Sequence, residues 1–132
     1  MGFDQYHEPP EELSEDTRTF ARLCASLTEE AEAIGWYEQR ISIEPNPEAA
    51  AIMSDAVGEE YKHFCMNLEF LLRRKPIWRE IAEGVLLQGG DIVEHGEAAE
   101  EAAGGADDDA GGSDPAPADG SLGIGSLRGE AS

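Results

Sequence analysis

Glu60 and His63 stand three residues apart in "EEYKH", on a stretch whose apolar residues recur at helical spacing. Residues three apart on a helix are neighbours, so a carboxylate and an imidazole share one face. A third group of the same kind lies upstream. The apolar positions Phe20, Leu23, Leu27, Ile34, Tyr37 and Ile41 follow in steps of three and four with one gap, and Glu30 fills it. A carboxylate on an apolar stripe is costly unless it is paired or bound to a cation. Two carboxylates and one imidazole form a donor set suited to iron(II), manganese or zinc rather than soft copper(I), and a redox-active ion would make the site an enzyme. Taken alone, Glu-x-x-His is common on acidic helices; Glu30 on a facing stripe is what raises the pair above that background.

The elements that must hold these groups can be read from caps and breakers. "PPEELSED" suits a helix start, and no further proline interrupts before Pro45, so one helix is expected over about 11–42. In "EPNPE", Pro45 stops that helix, Asn46 caps the next and Pro47 takes its first position, which gives a second helix over about 47–74. If the two pack antiparallel around Pro45, Glu30 lies 15 residues before the turn and Glu60 lies 15 after it. They fall at one level of the hairpin, with His63 a turn along. Pro76 opens a shorter helix with Ile77, Trp78, Ile81, Val85 and Leu86 as its buried candidates, closed by Gly89 and Gly90. Residues 1–10 read as a flexible N-terminus, 11–90 as the helical unit, 91–120 as an acidic linker rich in Gly, Asp and Pro, and 121–132 as a tail that recovers Leu122, Ile124 and Leu127.

The second helix carries two seams. One runs through Met53, Ala56, Glu60, His63, Asn67 and Phe70, the other through Val57, Tyr61, Phe64, Leu68 and Leu71. A two-helix hairpin needs only one, so further helices must come from a second copy. The ligand count points the same way. Di-iron bundles draw one Glu from each of two helices and a Glu-x-x-His from each of two others, and this chain supplies half of that set. The fold expected is all-α: two long antiparallel helices plus a short C-terminal one, completing a ferritin-like four-helix bundle only by dimerisation.

Composition narrows the function. The formal net charge is -20, with 11 acids and one base after position 90, so nucleic acid is not expected as a partner. No apolar run is long enough for a membrane span, and the acidic N-terminus is unlike a secretory signal, so a cytoplasmic location is expected. Cys24 and Cys65 are too few for a disulfide framework and read as packing thiols. Glu29, Glu32 and Trp36 share another helix face, either a solvated acidic surface or a transient cation site feeding the inner one. His7 and His95 have no comparable neighbours and read as surface residues.

With "EEAEAIGWYEQR", "EEYKH", "LEFLLRR" and the tail motif "LGIGSLR" together, the sequence resembles the encapsulated ferritin family over roughly residues 20–85 plus the tail. The resemblance implies a ferroxidase that oxidises iron(II) with oxygen at a di-iron centre shared by two chains, two irons per dimer. Glu30, Glu60 and His63 match that centre's ligands, Trp36 and Tyr37 match residues beside it, and Glu29 and Glu32 match an acidic access site on the outer surface. It also implies a ring of five dimers inside an encapsulin shell, with Leu122, Ile124 and Leu127 as the docking tail. Two rivals stand beside this reading: a non-catalytic acidic helical oligomer recruited by its tail, and a passive metal sequesterer.

Overall fold

A computed structural model describes residues 6–109, with side-chain surroundings given as far as 104. Helix α1 spans Glu15–Ile43. It starts later than the prolines suggest, because Pro10–Glu12 forms a separate 3₁₀ turn and Ser14 provides the cap. The Ser14 hydroxyl accepts from the Thr17 backbone N–H at 3.1 Å, and Glu15 and Asp16 place negative charge in the first turn, where the helix dipole favours it. Helix α2 spans Pro47–Leu72, with Asn46 Oδ1 accepting from the Ala49 N–H at 2.9 Å and proline at the helix start. Only residues 44–46 separate α1 from α2, and the two pack along their length as an antiparallel hairpin. The α1 stripe from Phe20 to Ile41, Glu30 included, is half-buried throughout.

Helix α3 spans Pro76–Val85 and helix α4 spans Ile92–Asp109. From sequence, residues 91–120 read as linker; over 92–109 the chain is helical instead, and 110–120 lie outside the described residues. The reason lies in residue size. Segment α4 has no stripe of large apolar residues, but Asp91 Oδ1 accepts from the Glu94 N–H at 2.9 Å as a cap. Its Ala and Glu content favours helix, and its alanines pack where a larger side chain would not fit. A Cβ added at Gly84 of α3 would lie 2.6 Å from Ala99 Cβ, so the glycine is what lets α3 and α4 approach. Ala103 is 1% exposed, while Ala82 and Leu72 are also buried.

Among the described residues, the buried apolar set is Ala25, Val57, Leu71, Leu72, Ala82 and Ala103, with Leu71 fully enclosed beside the α2–α3 turn. Glu69 ties that junction electrostatically: its carboxylate meets Arg73 at 2.8 Å and Arg79 of α3 at 3.1 Å, and the two guanidiniums hold its pKa below the usual carboxylate value. Lys75 lies 5.3 Å from the Phe20 ring, linking the start of α1 to the same corner. His95, read from sequence as a surface residue, is half-buried, with its Nε2 2.8 Å from the Gly89 carbonyl oxygen. The described residues leave both α2 seams incompletely covered; Tyr61 of one seam is 50% exposed, and His63 of the other is exposed. No helix among the described residues is long and apolar enough to cross a membrane.

Candidate metal centre

Glu30 sits near the middle of α1, and Glu60 and His63 lie on the facing turn of α2. Each offers a ligand atom, and the three atoms all lie within 4.8 Å of one another. Among the described residues no other cluster of three such side chains meets that geometry. Equal distance from Pro45 brings the two carboxylates to one level, and helical periodicity turns His63 toward them. Glu30 and Glu60 are half-buried, whereas His63 is exposed, so in the single chain this face is not enclosed.

The electrostatics are those of a site prepared for a cation. Glu30 is held above the ordinary glutamate pKa, chiefly by a hydrogen bond with the Glu60 carboxyl, then by partial burial and by the Glu60 charge; His63 acts in the opposite sense. Two facing carboxylates cannot both ionise without repulsion, which is why Glu30 keeps its proton to higher pH than an isolated glutamate. A divalent ion would relieve that repulsion. The hard oxygen donors and the imidazole fit iron(II), manganese or zinc.

A pH dependence follows. Because the Glu30 pKa is raised, the metal-free pair is more protonated as pH falls toward that pKa, and each bound cation must displace more proton. Divalent-metal affinity is therefore expected to rise with pH through the Glu30 pKa and to level off above it. Titration calorimetry in two buffers of different ionisation enthalpy should detect proton release that grows toward acid pH. Buffer-independent heats together with pH-independent affinity would contradict a raised Glu30 pKa.

The remaining sequence-derived candidates surround this group without joining it. Tyr37 is half-buried two turns along α1 from Glu30, with the Arg40 guanidinium 5.5 Å from its ring centroid. Arg40 was not singled out from sequence, although its i,i+3 spacing from Tyr37 was the available signal. Trp36 is 53% exposed and, with Gln39 and Arg40, lines an open depression of about 280 Å³. Glu29 and Glu32 are exposed on α1, and the Glu29 charge contributes to the upward shift at Glu30. Glu59, adjacent to Glu60, pairs instead with Lys62. Cys24 is half-buried and its thiol pKa is raised by burial; Cys65 is exposed, unlike the packing thiol expected. The tail residues Leu122, Ile124 and Leu127 lie outside the described residues.

Comparison with known proteins converges on one family. The EncFtn-like sequence profile matches residues 5–88. An "Encapsulated ferritin-like protein" from Rhodospirillum rubrum is 43% identical over 125 residues, covering 95% of this chain and 89% of that protein. A "Ferritin-like protein" from Thermotoga maritima is 40% identical over 91 residues, 69% of this chain and 80% of its own length. Among solved structures, protein ne0167 from Nitrosomonas europaea superposes with a TM-score of 0.65 at 36% identity, covering 67% of this chain and 98% of that one. With two antiparallel helices, a facing Glu, Glu and His, and a profile match across most of the helical region, the chain belongs to the EncFtn-like family.

Proposed function

We propose that this protein is a ferroxidase: it takes up iron(II) as substrate at Glu30, Glu60 and His63, and each iron loses one electron to oxygen. The observation that carries the reading is the meeting of those three ligand atoms within 4.8 Å, with Glu30 on an otherwise apolar stripe of α1. Kinship with proteins named encapsulated ferritin-like and ferritin-like supports iron as the metal.

One chain offers three donors, too few to enclose two cations. A second copy related by a two-fold axis would bring the set to four carboxylates and two imidazoles, and it would also cover the exposed α2 surface around His63. When iron is bound it supplies the redox chemistry; the chain's residues bind it and compensate its charge. The Glu30 and Glu60 carboxylates would neutralise adjacent cations, and a proton on Glu30 would leave as the cation enters. Tyr37 would hydrogen-bond a ligand. Glu29 and Glu32, exposed beside Trp36, would raise the local iron(II) concentration before transfer inward.

The tail of residues 121–132 would dock this assembly inside an encapsulin shell, with Leu122, Ile124 and Leu127 entering an apolar groove and several copies adding avidity. Oxidised iron would then be stored in that compartment. The deciding experiment adds iron(II) aerobically to purified protein while following oxygen uptake, with elemental analysis and mass measured with and without iron. Rapid uptake with iron-dependent dimerisation is expected. Bound iron that stays reduced in air would instead identify a sequesterer, and stable assembly without metal or oxidation would identify a non-catalytic oligomer.

A further inference from the structure

The turn between α3 and α4 is built to display apolar side chains. Leu87 has φ 61, and it is the one residue other than glycine with positive φ among the described residues. Its relative exposure is 105%, so the strained backbone gains no packing from the described residues. A leucine in the left-handed region costs roughly 1–2 kcal/mol. Gly89 and Gly90 follow directly, so the chain has glycines at hand yet places a leucine at the strained position. Leu86 at 48%, Ile92 at 72% and Val93 at 70% exposure stand on either side. The turn is firm: Gln88 Nε2 donates to the Glu83 carbonyl at 3.1 Å, Asp91 caps α4, and His95 holds the Gly89 carbonyl. Large apolar groups on a rigid, strained turn suit an occupant.

We propose that the occupant is the chain's own segment Leu122–Arg128, which docks on this tip. Its apolar residues, Leu122, Ile124 and Leu127, match a tip made of Leu86, Leu87, Ile92 and Val93. Charge agrees as well. Arg128 is the one base after position 90, and the tip is flanked by Asp91 and Glu94. Reach also allows it: helix α4 returns the chain about 27 Å from the tip at 1.5 Å per residue. Residues 110–121 can span up to about 40 Å when extended. A random coil of that length would have an r.m.s. span of about 20 Å, comparable to the distance required, which would keep the effective concentration in the millimolar range. The docking needs neither iron chemistry nor a shell, but any groove that captures the tail must compete with it.

The test compares the full-length protein with a full-length variant carrying Leu122→Ser, Ile124→Ser and Leu127→Ser. Hydrogen exchange at residues 86–94 should be about twofold faster in the variant, as expected for a millimolar contact at millimolar effective concentration. Methyl resonances of Leu122, Ile124 and Leu127 should differ from those of a free peptide of residues 121–132. They should move at least halfway back to it in Leu87→Asn, since asparagine tolerates the left-handed region and removes the apolar knob. Equal exchange in the two proteins, with tail resonances matching the free peptide, would overturn the proposal. So would tip protection that persists in the serine variant and grows with protein concentration, which would make a second copy the occupant.

Discussion

Glu60→Ala and His63→Ala are each expected to abolish rapid aerobic oxidation of iron(II), lowering the initial rate of oxygen uptake by more than about 100-fold. The magnitude follows from what these groups touch: disturbing even the supporting partners of metal ligands costs about 10–100-fold in affinity or activity, and here a ligand itself is lost. If two copies pool their donors, each substitution also removes two ligands at once. Glu59→Ala is the control, because Glu59 is a neighbour in sequence but pairs with Lys62 rather than with the cluster. It should oxidise iron at close to the parent rate. A second readout separates ligand loss from misfolding. In the metal-free protein the raised pKa of Glu30 means that its carboxyl is easier to protonate folded than unfolded. That interaction lowers stability above the folded-state pKa, and the loss shrinks as pH falls below it toward the unfolded-state value. Glu60→Ala removes the main cause, so metal-free Glu60→Ala should be at least as stable as the parent at neutral pH while failing to gain stability from iron(II). Parent-like oxidation rates in both Glu60→Ala and His63→Ala would refute the assignment.

Leu71→Ala is expected to be the most damaging simple truncation in the apolar core. Leu71 is 0% exposed, at the corner where α2 hands over to α3. Removing a fully buried leucine side chain costs about 2–5 kcal/mol, a large share of the roughly 5–15 kcal/mol that holds a small domain together. The small buried set among the described residues offers little to compensate for the cavity. Leu87→Ala gives the contrast, since at 105% exposure the same side chain packs against none of the described residues. Denaturant unfolding should be run at one fixed chain concentration, because association with a second copy adds stability by mass action. A Leu71→Ala midpoint indistinguishable from the parent's would mean that this corner is not where the fold is held.

Sequence by itself determined the long hairpin and the level at which its polar groups meet. Ser14, Pro45, Asn46 and Pro47 act through local backbone chemistry, and the three-and-four periodicity of Phe20 to Ile41 is a one-dimensional record of a helix face. Because both helices advance by the same rise per residue from a short turn, equal spacing from Pro45 was enough to bring Glu30 and Glu60 together. Tertiary structure decided the rest. Helix α4 left no apolar signature because its packing depends on the absence of side chains, at Gly84, against Ala99, and hydrophobic pattern records only their presence. The display of Leu87 on a left-handed turn, the exposure of Cys65 and His63, and the hold of His95 on Gly89 likewise turn on which surfaces the chain can cover by itself. Periodicity tells which residues share a face; only the packed helices tell what that face meets.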